Sequence, residues 1–564
     1  MNTGRNCFSG PTVVKSRQGT MNAKISLSRK SVKSTLGEHL RWGSLFALTL
    51  TALMTTGCTS IGDWYRNGFK VGPNYCKPAA PVSDQWIDFN NPAVIANSED
   101  DRAWWSAFND PTLNSFVQAT YENNIPLHAQ GQRILEYRAI RGVTVGNLFP
   151  QAQSLDGSYN RIQISENGNL VGVGNPTRAF DLYNFGPRMQ WELDIWGRYR
   201  RTIEQANATL DQQIELYDDI LAIAVADTAK AYTTLRVSQE MVRLAKRNVE
   251  IQEGSFQLAK ARFEEGATSE LDVTQAQSTL SETQALIPKF ETTMRQANNE
   301  LCLLMGMPAY DLSPQVGDGP LPTAPKSVAA GIPGELLRRR PDIRAAERAV
   351  AGASAEIGIA TSELYPHFSI DGVFGWTASD ASDLFRGTSF GGLISPTFRW
   401  NLLNYGRLRN NVSKYEARFQ TAAFNYQQTV LKANNEVENA LISFIKSQER
   451  AKQLQEASAA TQKSVDLALI QYKEGSISFE RIFNLQNVLI RQQIDLASAQ
   501  GEINLALIDI HRALRGGWQI RLQEQGEAFA VSEVAPSESP MPTPVVPATE
   551  ELMLTPPAPS APAN

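Results

Sequence analysis

The chain has 564 residues, 42% of them hydrophobic and 20% charged, with a formal net charge of −5 at pH 7. This composition excludes general disorder, and the small negative charge, with no basic patch interleaved with aromatics, excludes a nucleic-acid binder. The four histidines, His39, His128, His367 and His511, show no metal-ligand spacing, and no P-loop, Gly-x-Ser-x-Gly or paired CxxC occurs, so nothing supports catalysis or a bound cofactor.

In chain order, the first feature is the apolar run Trp42–Met54, too short to span a bilayer. Lys24, Arg29, Lys30, Lys33 and Arg41 precede it and Thr55-Thr56-Gly57-Cys58 follows, so residues 1–57 read as a secretory signal region, with Met21 as an alternative start. Small residues ending in Cys58 resemble the processing box of bacterial lipoproteins, although Thr55 stands where Leu is usual. That resemblance implies a covalent lipid on Cys58, and Thr59 after it implies sorting to the outer membrane; the other reading is an ordinary thiol. Acyl chains of this kind hold a protein firmly to a membrane. Cys76 and Cys302 remain in the exported part, where a disulfide between them is one reading. The other makes Cys302 a buried helix residue and Cys76 a loop thiol.

Residues 58–110 read as an extended segment, punctuated by Gly72-Pro73, Pro78, Pro81 and Asn91-Pro92. A first structural unit, 111–330, follows. Its helical pattern from Pro111 to Leu148 gives way at Phe149-Pro150 to a strand-like stretch ending at Ser165. A Gly/Asn-rich turn through Asn175-Pro176 leads to a second strand with Tyr183, Phe185, Met189, Trp191, Leu193 and Ile195 on one face. Arg198–Glu264 then reads as one helix of about 100 Å at about 1.5 Å per residue, and Thr268–Leu304 as a shorter one.

The second unit, 331–531, repeats this order. After Pro341, the residues Ile343, Ala346, Val350, Ala353, Ile357, Ala360 and Leu364 form a seam with steps of three and four. Past Tyr365-Pro366 the period becomes two, with Phe368, Ile370, Phe374 and Trp376 on one face. Trp191 and Trp400 are 209 residues apart, as are Gly266 and Gly475, which indicates a duplication. Sevenfold recurrence through Ile214, Leu221, Thr228, Leu235, Val242, Val249, Phe256 and Phe263 implies left-handed supercoiling. Residues 532–564, rich in Pro, Ser and Ala, read as a disordered tail.

Four strands with one apolar face cannot close a membrane barrel, because the smallest have about eight, and an open edge in lipid leaves backbone groups unsatisfied. Other copies of the chain must complete the wall, and three give twelve strands. The alternative is two soluble hairpins packed on a helical body.

The motifs LLRRRPDIRAAERAVAGASAEIGIATSELYPHFSI, WELDIWGRYRR and FRWNLLNYGRLRNNV, with the two Gly turns, resemble the outer-membrane factor family of tripartite RND-type efflux pumps and type I secretion systems, in particular its lipoprotein branch. The resemblance covers about Val71 to Ile520. It implies a mainly α protein with membrane β structure: an internally duplicated protomer of a trimeric α-helical barrel with a 12-stranded transmembrane β-barrel, four strands per chain. It also implies an equatorial girdle to which 301–333 and the stretch flanking Trp518 contribute. The implied partners are two sister copies, outer-membrane lipid, a periplasmic adaptor and, through it, an inner-membrane transporter. Gly266 and Gly475 then become adaptor-contact tips; the plainer account is that each glycine ends a helix. Family members narrow the tip with carboxylates six or nine residues after the second Gly, where this chain has Arg481 and Asn484. The candidate aperture is therefore Asp272, Glu480, Arg481, Phe483 and Asn484. In it Glu480 and Arg481 pair between subunits and Phe483 forms an apolar constriction, unless these charges only solvate helix faces. The expected function is passive conduction of drugs or other small molecules out of the cell. A protein-secretion channel and a non-pore coiled-coil scaffold lipoprotein are the alternatives.

Overall fold

The long helices end where their sequence allows. A computed structural model describes residues 61–95, 101–163 and 179–522, so the signal region, Cys58, the turn at Asn175-Pro176 and the Pro-rich tail lie outside the described residues. Residues up to Trp518 belong to one compact unit and a second begins at Gln519. The main elements are α1 (Pro111–Asn123), α2 (Ile125–Gly146), β1 (Ala152–Gln163), β2 (Ala179–Leu193), α3 (Arg198–Glu264), α4 (Glu270–Leu304), α5 (Pro341–Ser362), β3 (His367–Ala378), β4 (Phe390–Arg399), α6 (Arg407–Lys473) and α7 (Phe479–Leu514). α3 and α6 each have 67 residues and each follows a glycine in the left-handed region, Gly197 and Gly406.

The pattern from Pro111 to Leu148 is two helices rather than one. Asn124 has extended dihedrals, and its side chain accepts from the Leu127 N–H, so it ends α1 and caps α2, whose second residue is Pro126. The Asn124 amide also donates to the Leu304 carbonyl at 2.9 Å, so α4 ends where α1 and α2 meet. α1 and α2 lie beside the first half of α3 through Thr120–Thr228, Gln130–Gln213 and Arg141–Asn207. α4 lies beside the second half, packing Phe290 on Val242 and Ala276 near Ala259. Short helices thus stack end to end along a long one.

The second unit repeats this arrangement around Arg340, which is 1% exposed. Its guanidinium donates to both Asp342 oxygens at 3.0 and 2.6 Å, to Glu436 of α6 at 2.9 Å and to the Ala513 carbonyl at the end of α7. Arg515, in the left-handed region just past α7, pairs with Asp219 of α3 at 2.6 Å and lies 3.8 Å from Asp342. Charge therefore ties α3, α5, α6 and the end of α7 at one level. Burial alone would raise the Asp342 pKa, but hydrogen bonds and charge from Arg340, with Arg515, hold it below the usual carboxylate range. A depressed carboxylate contributes stability above its unfolded pKa, near 3.8, and loses it as pH falls through the lower folded value. The stability deficit of Asp342→Asn should be constant from neutral pH to about 4 and shrink in stronger acid. Thermal unfolding of both proteins across that range checks this.

β1 to β4 form one antiparallel sheet in the order β1-β2-β3-β4. Its register puts Tyr159 opposite Tyr183, Phe185 opposite Trp376, Trp191 opposite Ile370, Leu193 opposite Phe368, and Phe368 opposite Phe398. Opposed residues share a face, so one apolar face runs across all four strands. The other carries Ser158, Asn184 and Thr377, linked by hydrogen bonds, and Ser369, Asp371 and Thr397, likewise linked. Among the described residues β1 and β4 each have a neighbour on one side only. Trp191 donates to the Leu148 carbonyl and Trp400 to the Leu364 carbonyl, at 3.3 and 3.0 Å, so each unit ties its strand to the helix before it in the same way. Among the described residues no helix is long and apolar enough to cross a membrane.

The N-terminal segment is not extended throughout, since Ile61–Arg66 is a helix and Asp101–Phe108 a 3-10 run, and it is pinned, not loose. Arg200 and Arg201 donate to the carbonyls of Gly68, Phe69, Val71 and Gly72, and Gly72 crosses Gly358 of α5 so closely that a Cβ would sit 2.5 Å from the Gly358 Cα. Farther along, Val94 and Ile95 pair in parallel with Val328 and Ala329.

The Cys76–Cys302 disulfide is not formed. Cys302 is free and buried in α4, accepting from the Tyr310 N–H at 3.4 Å. Helix packing fixes Cys302 facing the 298–312 turn, where the Asn298 side chain bonds Tyr310 and Leu312.

Candidate functional site

Two helical hairpins, α3–α4 and α6–α7, turn at matching sequences. Gly266 and Gly475 have φ of 73° and 75°, a region glycine enters without steric cost. In the first turn the Gly266 N–H donates to Phe263 and the Ala267 N–H to Arg262. In the second, Gly475 donates to Tyr472 and Ser476 to Gln471. Both are the six-to-one and five-to-two bonds of a helix-ending Schellman turn. The sequence expectation of φ > 0 at both glycines is met.

The turns are not independent. Arg262, in the last turn of α3, donates from its guanidinium to the Tyr472 carbonyl of α6 and lies 4.6 Å from the centroid of the Tyr472 ring. That carbonyl also accepts from Gly475, so Arg262 grips the second turn at its closing bond. Tyr472 is 2% exposed and packs edge-on against Phe479. Burial pushes its phenol pKa up, against Thr268 and the Arg262 charge, which lower it. Around it gather Ala259, Ala276, Ala468 and Ile482, with Phe256, Ile477 and Phe483 partly buried at the edge. Cation–π contact and a charge-assisted hydrogen bond on one guanidinium make this the strongest polar tie between the hairpin ends.

The candidate aperture residues divide between two settings. Asp272 accepts from the Thr268 hydroxyl within its own turn, and Phe483 lies against the tip cluster. Glu480, Arg481 and Asn484 are exposed at the start of α7. Arg262 was missed in the sequence. Its pseudo-equivalent 209 residues later is Gln471, so the duplication that marked the glycines gave no signal for it. Among the described residues no cluster of three or more His, Cys, Asp or Glu is placed to hold a metal ion.

A family model described as outer membrane efflux protein matches residues 116–307 and 332–516. The chain is 28% identical over 489 residues to the probable efflux pump outer membrane protein TtgC of Pseudomonas putida, covering 84% of this chain and 96% of that one. It is 28% identical over 442 residues to nodulation protein T of Rhizobium leguminosarum bv. trifolii, covering 77% and 92%. The solved structure of the outer-membrane channel OprN superposes with a TM-score of 0.75 and 30% identity, over 80% of this chain and 99% of that one. With duplicated 67-residue helices, a one-faced sheet and a family match across both units, the chain belongs to the outer membrane efflux protein family.

Proposed function

We propose that the protein is the outer-membrane channel of a tripartite efflux system. It passes drugs or other small molecules passively from an inner-membrane transporter and a periplasmic adaptor to the outside. One observation carries this reading: a four-stranded sheet with one apolar face and two open edges continues into helices of about 100 Å. A lone sheet cannot stand in lipid with its edges unpaired. Three copies close twelve strands, with the apolar face on lipid and the polar face on a water-filled bore. Exposed apolar side chains along the helices, Leu135 and Val143 on α2 and Phe424 and Leu431 on α6, fit burial between copies. The trimer is anchored by lipid on Cys58 and reaches into the periplasm.

In this reading Gly266 and Gly475 are the adaptor-contact tips, and Arg262 holds the tip shut in each protomer. Asp272, Glu480, Arg481, Phe483 and Asn484 line the aperture, with exposed Glu480 and Arg481 available to pair between protomers. Single-channel recording in planar bilayers tests the conduit: trimers with discrete conductance are expected, and a monomer without conductance ends the reading.

The docking role has its own test. A Cβ at Gly475 would sit 3.5 Å from the Arg262 guanidinium, but one at Gly266 meets nothing within 4 Å. Gly266→Leu therefore probes the outer surface alone, at about 1–2 kcal/mol of local backbone strain. It should lower drug resistance in whole cells with trimer yield unchanged. Undiminished resistance would remove Gly266 from the docking surface.

A further inference from the structure

The lower half of α3 buries Val242, Ala245, Asn248, Gln252, Ser255 and Ala259 in steps of three and four. The two ends of this row are apolar. Val242 and Ala245 pack with Phe290 of α4 and Ile494 of α7, and Ala259 packs with Ala468, Tyr472 and Ile482. The middle is not. Asn248 donates to the Gln493 side chain at 2.7 Å, Gln493 donates to Gln462 at 3.4 Å, and Gln486 donates to the Ser255 hydroxyl at 2.8 Å. Between these pairs Gln252, 2% exposed, has no partner for either its amide oxygen or its nitrogen among the described residues.

The two kinds of contact respond differently to separation. Apolar groups lose burial outright when helices part. Paired amides exchange one set of hydrogen bonds for another with water, at small net cost, and a buried amide without a partner gains bonds when water reaches it. The polar stretch is therefore where the two hairpins come apart most easily. Below it the fully buried residues that α3 and α4 offer to Tyr472, Phe479 and Ile482 are the small Ala259 and Ala276, with Phe256 and Leu258 of α3 partly buried beside them, so the apolar contact there is modest and Arg262 supplies the polar tie.

We propose that the layer formed by Asn248, Gln252, Ser255, Gln486 and Gln493 is the hinge of the channel. On opening, the α3–α4 and α6–α7 hairpins separate from this layer downward, over about 25 Å of helix, while the Val242–Phe290–Ile494 contact stays packed. The hinge rests on the conduit reading, but its test does not depend on conductance.

Nitroxide labels on trimers locate the hinge. One pair, at Glu264→Cys and Glu474→Cys, reports the turns. The other, at the exposed Arg243→Cys and Gln500→Cys, reports the level above the layer. Releasing the latch with Arg262→Ala should lengthen the first distance by several ångströms and leave the second unchanged. Both lengthening together, or neither changing, overturns the hinge. Making the layer apolar with Gln252→Leu and Gln486→Leu in the Arg262→Ala background should suppress the lengthening, with Gln252→Leu alone used if the pair lowers trimer yield. Lengthening that persists in full also overturns it. Conductance recorded on the same trimers judges the conduit separately, since tips that part without conducting count against the conduit and not the hinge.

Discussion

Arg262→Ala is expected to open the channel without its partners. The guanidinium supplies a charge-assisted hydrogen bond to the Tyr472 carbonyl and a cation–π contact with its ring, together about 2 kcal/mol per protomer at a half-buried site. With about 1.4 kcal/mol per factor of ten, the loss of even one latch raises the open fraction more than tenfold, and a symmetric trimer loses three. Bilayer recordings of the variant should show long openings where the native channel stays mostly shut, and cells carrying it should become sensitive to large antibiotics that the outer membrane excludes. Arg262→Lys should fall between, because an ammonium keeps the charge and loses the planar stack. A variant that conducts no more than the native channel would show that Arg262 does not hold the tip closed.

Arg340→Ala should cause the largest loss of stability of any single change considered, about 3–5 kcal/mol. Arg340 is almost wholly buried, and its removal takes from Asp342 its two-pronged partner, leaving it only the more distant Arg515 at 3.8 Å, and takes from the Ala513 carbonyl its guanidinium donor. The cost comes from stranding the buried carboxylate more than from losing attraction. Replacing both members, as in Arg340→Met with Asp342→Leu, should therefore restore part of the stability. Loss of the helical signal on heating detergent-solubilised protein measures both. If Arg340→Ala melts within a degree or two of the native chain, the cluster does not tie α3, α5, α6 and α7.

What the sequence made legible follows from period and punctuation. The bounds of α3 could be read because a sevenfold repeat runs between a Trp-Gly-Arg start and a Glu-Glu-Gly stop, and both hairpin glycines because a reversal needs φ > 0. The strand faces were legible because Tyr183, Phe185, Trp191, Phe368, Ile370 and Trp376 alternate with polar residues, and the register puts them on one surface. The break at Asn124 was written as Asn-Ile-Pro, a cap followed by a proline, but the apolar pattern running across it hid the signal. Arg262, the Arg340 cluster and the polar layer were not legible. Each joins residues far apart in sequence, 210 for Arg262 and Tyr472, and no local period encodes such a pairing. The Cys76–Cys302 pairing failed because counting thiols says nothing of where a helix points them.

The unpaired β1 and β4 edges have a genetic corollary. A wall shared among protomers is only as sound as its worst contributor, so a defective allele expressed beside a healthy one should be dominant. With equal supply and random mixing into trimers, only about one assembly in eight escapes a faulty member. Resistance should therefore fall far below half in such a strain.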